Sequence, residues 1–226
     1  MPHNPLQRWS EPAQSTASRR PGSSSRYNFR GEVVCPRRNQ RYVFESFLEL
    51  KMLQTLLADR RVRNVEEQPP AVLYRADDGA IHRHWFDMRA TRHDDVRIAF
   101  AIRPEAKADS LRKLLKQMRP QIPQSFADYA LLRTDRDLPP SRTDDAVTIL
   151  RYRETKCDVA INAVVELLRK IPGPIEIGRL VATTGLKDAA FGAIVNLIDD
   201  TALALCGRSI TYHALVQRNP QVNIWY

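Results

Sequence analysis

The chain has 226 residues, 43% of them hydrophobic, with a formal net charge of +9 and a sequence pI of about 9.8. That length supports one large domain or two small ones with real cores. No run approaches the ~18 consecutive apolar residues of a membrane span, and no apolar h-region marks a secretory leader, so neither is expected.

The first 28 residues are rich in Ser, Pro, Arg and Gln and poor in aliphatics, and are expected to form a disordered basic arm. Their Arg/Ser-rich, acid-poor character has the composition of a transit peptide, but Pro2, Pro5, Pro12 and Pro21 break the amphipathic helix such a peptide needs. Residues 1–41 hold eight arginines and two acids, so the excess positive charge is concentrated there. Arg19, Arg20, Arg26, Arg30, Arg37 and Arg38 are candidates for contact with a DNA backbone; a solvated tail is the competing reading. Cys35, Cys157 and Cys206 are odd in number, widely spaced and without a CxxC pair, which points to free thiols and a cytoplasmic location.

From Tyr42 to Leu57 apolar residues recur at helical spacing. Val62 and Val65 form a short edge before Gln68-Pro69-Pro70, and residues 71–74 read as a strand. Asp77-Asp78-Gly79 is a hairpin turn, Ile81 to Met88 a second strand, and Val96 to Ile102 a third. A helix follows, with Leu111, Leu114, Leu115 and Met118 inward and Lys113 and Lys116 on the opposite face. Those lysines either contact phosphates or line a solvated face. Residues 129–132 give the last strand, so the first unit reads helix, three strands, helix, strand: an α/β domain over 29–140 around a mixed sheet. Residues 141–150 are expected to be a linker. Over 151–226, three short helices and a hairpin are expected to make a winged helix. Its would-be recognition helix, 187–198, offers Lys187 and Asn196 but no arginine, which suits a protein partner better than a major groove.

Glu45 and Glu49 share one face of the first helix, Asp87 closes the second strand, and Ala101-Ile102-Arg103 lies on the third. A helix carboxylate, a strand aspartate and a following (D/E)xK pair is the layout of nucleases that use Mg²⁺ to polarise phosphate and activate water. The elements Phe29-Arg30-Gly31, Tyr42-Val43-Phe44-Glu45-Ser46-Phe47-Leu48-Glu49, Val65-Glu66-Glu67-Gln68-Pro69, Trp85-Phe86-Asp87 and 131–137 resemble, in their order, the TnsA family of transposon-end endonucleases over roughly residues 29–140.

The resemblance implies a restriction-endonuclease-like mixed sheet with flanking helices, followed by a winged helix. It implies catalytic and metal-binding carboxylates at Glu49 and Asp87, with Mg²⁺ as cofactor if the site works. DNA contacts would include Gln68, and the partner would be a transposase or regulatory ATPase; homodimerisation stays open. Two family positions are altered. The third ligand falls on Ala101, which has no oxygen to offer, and the lysine on Arg103, whose guanidinium cannot serve as a base. Glu105 with Lys107 could replace them after a register shift, although Pro104 argues that the strand ends first. The expectation is a DNA-binding protein with an impaired nuclease site. An active endonuclease and a winged-helix regulator are the alternatives. His82, His84, Asp87 and His93 could instead form a transition-metal site, or simply an open polar strand face.

Overall fold

The computed structural model of the protein describes residues 10–19 and 29–222. The chain divides into two compact units, one of Met1–Leu53 with Arg61–Asp137, the other of Gln54–Arg60 with Leu138–Tyr226.

The first unit opens with an antiparallel hairpin, β1 (Gly31–Cys35) and β2 (Gln40–Phe44). Helix α1 (Phe47–Ala58) follows, its start in the first unit and its end, from Gln54, counted with the second. Residues 42–44 are therefore strand, not the start of the helix. Short apolar runs are ambiguous between the two periods, and pairing with β1 decides this one. Next come β3 (Val62–Glu67), the hairpin β4 (Val72–Arg75) and β5 (Ile81–His84), β6 (Met88–Arg92) and β7 (Arg97–Ile102). The expected turn joins β4 to β5, with Gly79 at φ +80°, a value that L-residues rarely adopt. A 3-10 turn (Glu105–Lys107), helix α2 (Asp109–Met118) and β8 (Tyr129–Arg133) complete the unit.

β3, β6, β7 and β8 form one sheet in that order. The first two pairings are antiparallel and β7–β8 is parallel. Central β7 has Ala99, Phe100, Ala101 and Ile102 all buried, as expected of a strand covered on both faces. On the Ala99/Ala101 face the cover is α2, through Leu111, Leu115 and Met118, joined by Val72, Phe86 and Ala130.

Residues 10–19, expected to be part of a disordered arm, instead run as a strap along the first unit. Ala13 bridges Gln40, Thr16 N donates to Glu67 Oε1 at 3.2 Å, and Ser18 N donates to the Gln68 carbonyl at 2.9 Å. The Ser15 hydroxyl also donates to Glu67. Backbone and hydroxyl hydrogen bonds hold this strap; they leave no hydrophobic trace in the sequence.

The second unit contains α3 (Pro140–Glu154), α4 (Asp158–Arg169), the short β9 (Ile175–Glu176), α5 (Ile177–Thr184), α6 (Asp188–Asp199), β10 (Leu203–Cys206) and β11 (Leu215–Arg218). Its sheet runs β10-β11-β9. The segment expected as a linker, 141–150, thus lies within α3. Pro140 stands at the first helical position, where its missing N–H costs nothing, and Thr143, Ala146 and Tyr152 are buried. Helix α6 is the axis of the core, with nine of its twelve residues buried. α3 packs closely on it. A Cβ at Gly192 would come within 2.5 Å of the Tyr152 ring, so only glycine fits there.

Candidate functional site

Glu49 enters the site from the start of α1. Ser46 caps the helix: Glu49 N donates to Ser46 Oγ at 3.1 Å, and Ser46 Oγ donates to Glu49 Oε1 at 2.9 Å. Glu49 Oε2 accepts Glu45 N at 2.9 Å. Both carboxylate oxygens therefore serve the helix end. Burial raises the Glu49 carboxyl above its usual range, against the pull of those hydrogen bonds and of Arg103.

Asp87 sits one residue before β6, at the turn out of the β4–β5 hairpin. Its backbone is fixed on two sides, since its N–H donates to Phe100 O at 2.9 Å and its carbonyl accepts Gln68 N at 2.8 Å. Its Oδ2 accepts Ile102 N at 2.6 Å. Met88 pairs with Phe100, so extending that register by one residue sets Asp87 opposite Ala101. The side chain is half-buried. Burial first, and then the charge of Glu49, lift its pKa to about 7; the Ile102 N–H, Arg103 and Arg19 oppose them.

Arg103 is exposed just beyond β7, anchored by its N–H on Arg133 O at 3.0 Å, and its charge acts on Glu49, Asp87 and His84. Arg19 arrives from the strap. It donates to Gln68 Oε1 and Glu45 Oε2, each at 3.0 Å. The site thus gathers two raised carboxyls and two guanidiniums. Gln68, only 2% exposed, holds the strap and Asp87 together from a backbone at φ +41°. A non-glycine residue in the left-handed region costs free energy that only surrounding contacts can offset, and such positions gather at functional sites.

The other sequence candidates fall elsewhere. Glu105 does not join Glu49 and Asp87. It stands on the 3-10 turn after Pro104 has ended the strand, and its carboxylate accepts Arg112 at 2.8 and 2.9 Å while its N–H donates to Asp135. Arg38 spends a donor on Val62 O, Arg37 is exposed, and Arg30 is half-buried. Lys113 and Lys116 are exposed on α2. Arg20 and Arg26 lie outside the described residues. His82 stacks on Tyr74, and His84 packs edge-on against Phe86 at 4.9 Å. Among the described residues, no three His, Cys, Asp or Glu side chains come together as a metal-ion cluster.

In the second unit, Lys187 and Asn196 were the polar residues that helix 187–198 could offer to a groove. Asn196 is 4% exposed and donates to the Tyr152 carbonyl at 3.1 Å. Tyr152 Oη in turn donates to Asp188 at 2.5 Å. Among the described residues no helix is long and apolar enough to cross a membrane. No protein-family model matches the chain, and no curated protein matches it.

Proposed function

We propose that this chain is a DNA-binding protein of a mobile genetic element, built on a TnsA-like nuclease scaffold whose acidic site no longer supports metal-dependent strand cleavage. The observation that carries the reading is the meeting of Glu49, Asp87 and Arg103. They come from a helix start, a strand start and a strand end far apart in sequence, yet share one electrostatic field. The succession α1, β3, β6, β7, α2, β8, with a parallel last pairing, supports a restriction-endonuclease-like core.

The donor set fits Mg²⁺ poorly. That ion takes six oxygens in near-ideal octahedral geometry and relies on ionised carboxylates for its protein contacts. Here Glu49 spends both carboxylate oxygens at the start of its helix, and buried Ala101 supplies no oxygen. Arg19 and Arg103 add positive charge where a cation would have to bind. The same guanidiniums suit a phosphodiester backbone, which they can hold without cutting.

The second unit runs helix, strand, helix, helix, hairpin, the order of a winged helix. A winged-helix regulator would read DNA through α6, but that helix is consumed by its own core. We therefore assign this unit to a protein partner, a transposase or regulatory ATPase in the TnsA-like reading.

The test is supercoiled plasmid incubated with the full chain and Mg²⁺ or Mn²⁺, beside Glu49→Ala and Asp87→Ala. The expected result is salt-sensitive plasmid binding without nicking. Nicking that both substitutions abolish overturns the impaired-site reading, and absence of plasmid binding overturns the DNA-binding one.

A further inference from the structure

We propose that the outer edge of β8 is a docking strip for an extended acidic peptide of a partner protein, which adds to the sheet as a fifth strand. The proposal stands apart from the acidic site and does not depend on whether that site cuts DNA.

β8 is the last strand of its sheet. In a parallel pair each residue points both backbone groups to the same side. Arg133 O accepts Arg103 N, so Arg133, Leu131 and Tyr129 face β7, while Ala130 and Leu132 face away from it. The protein itself marks that outward side. Arg119 Nε donates to Ala130 O at 3.0 Å, and Arg133 Nη1 lies 3.4 Å from Leu132 O. Covering an edge with charged side chains is how sheets blunt unwanted pairing. Side chains on this edge, unlike a paired strand, can be displaced.

Two grooves run along the strip and share Arg119 and Leu131. One, of about 500 Å³, extends past Tyr129; the other, of about 540 Å³, reaches Thr134 and Asp137. Five strand residues span about 16 Å, enough for a short extended peptide. The rim is cationic, with Lys116, Arg119 and Arg133 beside Arg112. Arg112 is already paired with Glu105 and Asp109, and Arg133 lies 4.0 Å from Asp137, so Lys116 and Arg119 are the cations left to meet an incoming acid; Asp128 accepts Arg97 N at the far end of the strip. Tyr129 is 59% exposed at one end and offers an aromatic anchor.

The charge selects the occupant. A second copy of β8 would set cations against cations. A peptide with acids at alternate positions instead gives Lys116 and Arg119 partners. Its backbone N–H groups take over the Ala130 and Leu132 carbonyls, freeing Arg119 to pair, beside Lys116, with its carboxylates.

The experiment uses the full chain and a fluorescein-labelled octapeptide of alternating Glu and Val. Controls are the same peptide N-methylated at alternate residues, an alternating Lys/Val peptide, and a DNA duplex as competitor. We expect salt-sensitive binding of the Glu/Val peptide. It should weaken roughly tenfold or more on N-methylation, which removes the strand donors without touching the protein. A comparable loss is expected in Arg119→Glu/Lys116→Glu, whose circular dichroism should match wild type. Absence of binding, or equal binding of the methylated peptide, overturns strand addition. Duplex that displaces the peptide and loses affinity in the same charge-reversed variant assigns the strip to DNA and overturns the peptide.

Discussion

Asp87 in the first unit and Asp199 in the second are both aspartates withdrawn from water, and their carboxyls move in opposite directions. Burial pushes Asp199 upward too, but hydrogen bonds and charge from Arg153 and Arg60 outweigh it and hold the group below the usual range. Arg153 grips it with two donors, Nε and Nη2, each at 2.6 Å. Asp87 has one backbone donor and a neighbouring carboxylate, and rises to about 7. The contrast separates two uses of a buried acid. A carboxylate fully matched by a bidentate arginine is part of the framework. One left under-matched beside another acid stores unfavourable charge, which is what a binding or catalytic site retains.

The framework side of the comparison is the easier to break, with the largest effect. Arg153 also donates to Leu57 O and Ala58 O at the end of α1, at 2.9 and 2.5 Å. Arg153→Met would leave Asp199, whose side chain is 4% exposed, with the weaker support of exposed Arg60. Breaking one partner of such a buried pair costs about 3–5 kcal/mol. Urea denaturation of the full chain measures it, and a loss below about 1 kcal/mol would mean that Asp199 is not a structural acid.

The Asp87 side predicts a pH dependence of known sign. Its folded pKa, about 7, lies above the unfolded value near 3.8, so the folded state holds the extra proton between those limits. The stabilisation is complete at low pH and is lost as pH rises through about 7. Asp87→Asn keeps the shape and removes the titration. At pH 8 it should be more stable than wild type by on the order of 1–2 kcal/mol, the difference vanishing near pH 4. Urea midpoints at pH 4, 6 and 8 decide it. Parallel curves for the two proteins would show that Asp87 is solvated, and the site would lose its distinguishing feature.

What the sequence disclosed follows the physics of each region. The β4–β5 turn was legible from Asp77-Asp78-Gly79, β7 from its run of apolar residues, and α2 because burial of one face imposes a helical period on Leu111, Leu115 and Met118. β6 was missed apart from Met88, the last residue of a strand read from 81 to 88, because Met88-Arg89-Ala90-Thr91-Arg92 carries two arginines. One of them, Arg89, is bound to Glu66 on β3 by two hydrogen bonds, a pairing with no local signature. α3 was missed because Pro139-Pro140 reads as a break, although a proline can open a helix as well as end one. Glu49, Asp87 and Arg103 were chosen as candidates by their order along the chain, and the fold brings them within each other's electrostatic reach. Arg19 was read only as part of a basic arm. Its contacts with Gln68 and Glu45 span 49 and 26 residues, and depend on the strap lying down along β2 and β3. Glu105 was offered only after a register shift; the strand ends at Ile102, and Pro104 opens the 3-10 turn that carries Glu105.

The smallest effect sharpens the one ambiguity inside the acidic pair. Glu49 could be held for its charge or for its cap, and Ser46 separates the two. Ser46→Ala deletes the hydroxyl that serves both Glu49 N and Glu49 Oε1. Loss of such a cap costs about 1 kcal/mol, whereas Ser46→Thr, which keeps the hydroxyl, should cost only a few tenths. If both variants melt with wild type, the hydroxyl contributes nothing to α1 and Glu49 is free to face a ligand. If alanine alone destabilises, Glu49 has a structural duty that Asp87 lacks. Asp87 is then the residue whose substitution should alter DNA affinity without unfolding the protein.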